Sequence, residues 1–203
     1  MCGAENDDII GMSSLISYKE WHNPLCRDRL TLQEVHASMS QAGAGQDEIP
    51  LMIQLVENPA YKIPGFTLFH GAVDLVQHDY IHIMLGRGML EMDEAFTIGF
   101  TMGSTKKVTT TEEQLFTLIA KYLYPTVYQF GEQEIAVFKD AVRLAYISGC
   151  LPLDEVDFKP YLNLPIRTIR KKIGLETRLL RAYYEIEKKR NPDSPASQRL
   201  LDP

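Results

Sequence analysis

Apolar residues recur along the chain with helical spacing nearly throughout. Thr31-Leu-Gln-Glu34 reads as a capping box opening a helix that runs to about Gln41, where Gly43-Ala-Gly45 stops it. A shorter apolar helix is predicted over 48–57, followed by a loop bracketed by Asn58-Pro59 and Pro64-Gly65. A long helix covers 66–85 and closes at Gly86-Arg87-Gly88, and another follows over 89–103. Thr110-Thr-Glu-Glu113 opens a helix that ends before Pro125, and 132–148 makes a further one with Gly149 at its end and Pro152 beyond. Pro165 suits the first turn of a short helix that Gly174 ends, and 176–190 forms the last. No alternating run reaches strand length between turn signals. The expected fold is all-α: a single helical domain over 1–190, a bundle of about eight helices with an apolar pocket, and a frayed tail over 191–203.

The helix predicted over 66–85 carries unusual chemistry. His70, His78 and His82 lie on it with Asp74 and Asp79, all within 13 residues. At about 100° per residue these groups share one side, while Phe69, Val73, Val76, Tyr80 and Ile83 form a stripe suited to the core. Neutral imidazoles and carboxylates cost free energy in an interior unless something pairs them, so the cluster points to a metal or to proton transfer. His78 and His82, four residues apart, point the same way, the spacing helical zinc sites use for two imidazoles. Asp79 can close a three-ligand wedge beside them.

Glu94, twelve residues past His82, would lie ~18 Å along a straight helix. A reversal at Gly86-Arg87-Gly88 changes that. His82 and Glu94 then fall at nearly equal heights, ~7.5 Å and ~10.5 Å from the turn, and Glu94 faces the trio. The expected site is His78, Asp79, His82 and Glu94, nitrogen and oxygen ligands that suit Zn2+ best, with Mg2+, Mn2+ or Fe2+ as other occupants. Asp74, and with it His70, is placed to orient a ligand imidazole from behind.

Composition narrows the class. Of 203 residues 45% are hydrophobic and 24% charged, enough apolar surface to fold. The apolar runs 63–73 and 95–105, free of Asp, Glu, Lys and Arg, are 11 residues long and no such run exceeds 12, short of the ~20 a helical membrane crossing needs. Cys2, Cys26 and Cys150 are widely spaced and form no zinc knuckle or disulfide framework. An acidic start without a basic leader adds the expectation of a cytoplasmic protein. The net charge of −6 hides ten Lys or Arg against three Glu between Lys159 and Arg190. That basic end suits a solvated face or peripheral contact with the inner face of a membrane; no nucleic-acid reader motif accompanies it.

His78-Asp79-x-x-His82, eleven residues and then Glu94 resembles the signature of the ubiquinone (coenzyme Q) biosynthesis family, the fourth protein of the Coq series. Gly86 matches a glycine usual in that family, and Leu164-Pro165-Ile-Arg167-Thr-Ile-Arg170-Lys-Lys-Ile-Gly174 is similar to its closing pattern. The resemblance spans loosely 66–175 and is that of a divergent, bacterial member: Leu75-Val76-Gln77, Ile98 and Thr101 stand where relatives carry arginines, a lysine and a second acid. It implies metal ligation by His78, Asp79, His82 and Glu94 and a pocket for a polyprenylated ring. It also implies oxidative decarboxylation of that ring, an organising role among other quinone-biosynthesis proteins, and a homodimer.

Gly99-x-x-x-Gly103 lets a neighbouring helix approach closely, and Phe96, Phe100, Leu115, Phe116 and Ile119, with Ile98 and Met102, could line an isoprenoid groove or simply a core. Tyr122, Tyr124, Tyr128 and Phe130 cluster round Pro125. Two alternatives stand beside the quinone reading. One is a His-Asp type metal-dependent phosphohydrolase built on His36, His78-Asp79 and Asp140, which leaves His82 and Glu94 unused. The other is a non-catalytic scaffold binding isoprenoid lipid, its metal structural.

Overall fold

A computed structural model describes residues 17–42, 69–124 and 129–201; these fold as eight α-helices with two short 3-10 turns and no sheet. Helix α1 (Leu32–Ala42) starts where the sequence places it. The Thr31 hydroxyl oxygen accepts the Glu34 N–H, and the Glu34 carboxylate accepts the Thr31 N–H in return. The helix expected over 48–57 lies outside the described residues.

Helix α2 (Leu75–Leu85) is shorter than the sequence suggests. Gly71 has φ +85°, and Asp74 accepts the Gln77 N–H at 2.9 Å as the N-cap, so the chain enters α2 from a turn. At the other end Gly86 adopts φ +74°. Its N–H bonds to Ile83 O and that of Arg87 to His82 O, at 3.3 and 3.0 Å, the pair of bonds that stops a helix abruptly. The chain then doubles back into α3 (Glu91–Ser104), as the expected hairpin requires.

Helix α3 is the axis of the molecule, buried at every position from Ala95 to Ser104. Helix α4 (Thr110–Tyr122) follows, capped by Thr109 and Glu112, one residue earlier than the box read from sequence. Helix α5 (Glu132–Ile147) packs on α3 at Gly99 and Gly103, where an added Cβ would stand only 2.4 Å from Phe138 O and 2.2 Å from Val142 O. The glycine pair is therefore a helix-contact seam. On one side of α3, Phe116, Ile119, Tyr124, Phe130 and Phe138 form an aromatic-rich cluster; on the other, α1, α2 and the C-terminal helices enclose Phe96 and Phe100.

Those later helices are α6 (Ile166–Lys172), α7 (Thr177–Arg190) and α8 (Pro195–Gln198), and they clamp the hairpin turn. Arg170 is buried and donates to Met84 O, Ile83 O and Leu25 O, satisfying carbonyls that the end of α2 leaves open. Tyr184 donates its hydroxyl to Leu85 O at 2.6 Å. Arg87, wholly buried, forks onto Glu187 at 2.9 and 2.6 Å, between the rings of Phe96 and Tyr184.

Two expectations are corrected. The chain beyond 190 does not fray through 201: Ala196, Ser197 and Leu200 are buried, Ser197 donates to Glu187, and Arg199 holds Asp93. A short helix with few apolar residues looks loose in sequence, yet here it supplies polar partners to a buried charge. Val76, assigned to the core stripe, is exposed because it falls in the first turn of α2. No helix among the described residues is long and apolar enough to cross a membrane.

Candidate metal centre

The reversal at Gly86 brings Glu94, in the first turn of α3, against the face of α2 that carries His78 and His82. His78 Nε2 stands 2.9 Å from Glu94 Oε2, His82 Nε2 2.9 Å from His78 Nε2, and His82 Nε2 3.3 Å from Glu94 Oε2. The three ligand atoms lie within 4.8 Å of one another, and among the described residues they are the one such group. Donors held ~2.1 Å from a shared tetrahedral cation stand ~3.4 Å apart, so the trio needs little adjustment to take one.

Burial sets the electrostatics. His82 is 1% exposed, while Glu94 and His78 keep an opening outward. Desolvation alone would raise the Glu94 carboxyl, but the charge of His82 and hydrogen bonds from both imidazoles outweigh it and hold the group well below the usual carboxylate range. Glu94 is therefore an anion, the form a cation selects. His82 Nδ1 lies 3.3 Å from Thr97 Oγ1, so Nδ1–H donating to Thr97 would hold the ring in place once a cation displaces the Nε2 proton that otherwise faces Glu94, leaving the Nε2 lone pair as ligand. Thr97 is buried, three residues after Glu94 on α3, and that spacing was the available sequence signal for it.

The other expected site residues fall differently. Asp79, read as the fourth ligand, is outside the converging group; its Oδ2 lies 3.3 Å from His36 Nε2 on α1. Burial raises the Asp79 carboxyl, opposed by His78, His82 and His36. His36 itself rests edge-on against Tyr80. Asp74 is the N-cap of α2, its carboxylate accepting the Gln77 N–H. His70 precedes the helix altogether, and its Nδ1 lies 2.7 Å from Glu112 Oε1. Asp140 lies away from the trio and pairs with Arg190 and Tyr183.

A narrow cleft adjoins the trio. Phe69, Val73, Ile98, Met102 and Phe116 give it apolar walls, with His70, His78 and Thr101 among the polar lining. Its free volume is about 20 Å3, that of a single water-sized group, with about 330 Å3 counting its open mouth. The isoprenoid groove expected from Phe96, Phe100, Leu115, Phe116 and Ile119 is not formed as such. Phe96 and Phe100 stack in the core near Tyr183, Ile119 is packed in the aromatic cluster, and Leu115 is exposed; Phe116 alone of the five lines the cleft. Tyr124 and Phe130 also pack inward, Tyr122 is exposed, and Tyr128 lies outside the described residues.

Comparison of the chain with protein-family models, with curated proteins and with solved structures finds no match.

Proposed function

We propose that the protein holds one divalent cation, zinc by its donor set, between α2 and α3, and binds an oxygen-bearing ring compound at the adjoining cleft as a member of a quinone-synthesis pathway. The observation that carries the metal reading is the convergence of His78, His82 and Glu94 from two helices, with ligand atoms 2.9–3.3 Å apart. The spacing of these residues, Gly86 at the bend and the Arg170 segment locked onto the same bend support the likeness to the coenzyme Q family.

A cation at this place would supply Lewis-acid polarisation of a ligand oxygen. The protein's own part is to present two neutral imidazoles, one fixed by Thr97, and one carboxylate, and to wall the ligand with apolar side chains. Decarboxylation of a ring acid and an organising role among other biosynthetic enzymes both fit this centre. Exposed Arg167, Lys171, Lys172, Arg178 and Lys189 on α6 and α7 give the basic surface for attachment to an anionic bilayer. Preferential flotation with anionic over neutral vesicles is the expected result.

The phosphohydrolase alternative gains the contact between His36 and Asp79. It loses Asp140, which is tied to Arg190. Metal analysis of the purified protein separates the two. About one equivalent of zinc in wild type and Asp140→Ala, and loss of it in His82→Ala and Glu94→Ala, is expected. Loss confined to Asp140→Ala would replace the proposed centre with the alternative.

A further inference from the structure

The cleft that His78 lines carries a second device. His70 is fixed by two hydrogen bonds to one carboxylate oxygen: its backbone N–H lies 3.2 Å from Glu112 Oε1 and its Nδ1 2.7 Å from the same atom. The other oxygen, Oε2, accepts the Thr109 N–H at 2.9 Å and the Thr109 hydroxyl at 3.1 Å, so Glu112 is itself clamped at the start of α4. The turn holding His70 is seated on α3. Gly71 has positive φ, and a Cβ there would stand 2.8 Å from Met102 Cα. His70 and His78 both line the cleft, whose free space fits one hydroxyl-sized group.

We propose that His70, positioned by Glu112, is the proton acceptor of the cleft for an O–H group lying between it and the His78–His82–Glu94 trio. Nδ1–H donating to Glu112 leaves Nε2 as the basic nitrogen. The proton of the bound hydroxyl passes to Nε2: the O–H bond breaks, an N–H bond forms, and the electron pair stays on the oxygen facing the trio. The Glu112 carboxylate balances the imidazolium. The arrangement repeats the logic of a carboxylate-oriented imidazole, in which the acid holds the tautomer and steadies the cation. The cleft takes the hydroxyl, the apolar residues at its open mouth would meet the body of the ligand that carries it, and a water would meet the same atoms. This rests on the metal reading above, because the cation is what makes the O–H acidic.

Nitrogen-15 spectra of His70 at pH 8 test it in the full-length chain. In the metal-free protein His70 should show a protonated Nδ1 and a bare Nε2. Glu112→Gln should mix the tautomers, while Glu112→Asp should restore the wild-type pattern in part. Conversion of His70 to imidazolium on adding zinc alone assigns the proton to water; conversion only on adding catechol to the zinc-loaded protein assigns it to a ligand hydroxyl. In the catechol case titration in two buffers should show about one more proton released to solvent by His70→Gln than by wild type. A His70 already carrying both protons before any addition, a bare Nδ1, or no conversion in either arm overturns the proposal. Zinc that binds stoichiometrically while His70 stays unchanged sinks this inference and leaves the metal centre standing; zinc that does not bind removes both.

Discussion

Thr97 governs which nitrogen of His82 faces Glu94, because its hydroxyl meets the other one. Thr97→Val keeps the shape and removes that contact, and zinc affinity in competition with a chelator should fall about 10–100-fold with the fold intact. Glu94 gives a pH signature. Its folded pKa lies below the unfolded value of about 4.3, so its contribution to stability is complete above that value and is lost as pH falls through the folded one. In metal-free protein the urea midpoint of wild type should therefore drop more between about pH 5 and pH 3 than that of Glu94→Gln. His78, His82 and Glu94 were legible in the sequence because a helical repeat and a glycine turn fix their relative positions. Thr97 was not read as a site residue, and His36 entered only in the phosphohydrolase alternative. His70 was misplaced by extending one helical wheel past the turn at Gly71, where its geometry no longer holds.

The hairpin of α2 and α3 places the site, and the elements around its turn hold it closed. Arg87 and Glu187 meet there with almost no water, so removing one partner leaves a buried charge alone. Arg87→Met should cost about 3–5 kcal/mol in urea unfolding. Arg87→Met with Glu187→Leu should recover much of that loss, since an apolar pair avoids the unpaired carboxylate; equal losses in the single and double variants would assign the stability to packing instead. Capping residues announced most helix ends, Thr31 with Glu34 and Gly86 among them. The partners of Arg87 and Arg170 were invisible, because a lone arginine in sequence reads as a surface charge. Burial against a helix C-terminus or between two rings depends on how distant elements dock.

Across the whole molecule, the basic C-terminal third serves two ends. Arg170 and Arg190 are consumed by internal carbonyl and carboxylate contacts, while α6 and α7 keep other cations outward. The tail was read as frayed, yet Ser197 and Arg199 supply polar partners to Glu187 and Asp93. Charge count alone does not distinguish these uses; packing does. The same docking makes the bend rigid enough to present its ligands, and a bound cation should add about 2.7 kcal/mol of stability at a hundredfold excess over its dissociation constant. The most direct measurement is anomalous diffraction at the zinc edge from crystals of the zinc-loaded protein. The account expects one peak about 2.0–2.2 Å from His78 Nε2, His82 Nε2 and a Glu94 oxygen. A peak elsewhere, or none while the three side chains keep their hydrogen bonds to one another, would contradict it.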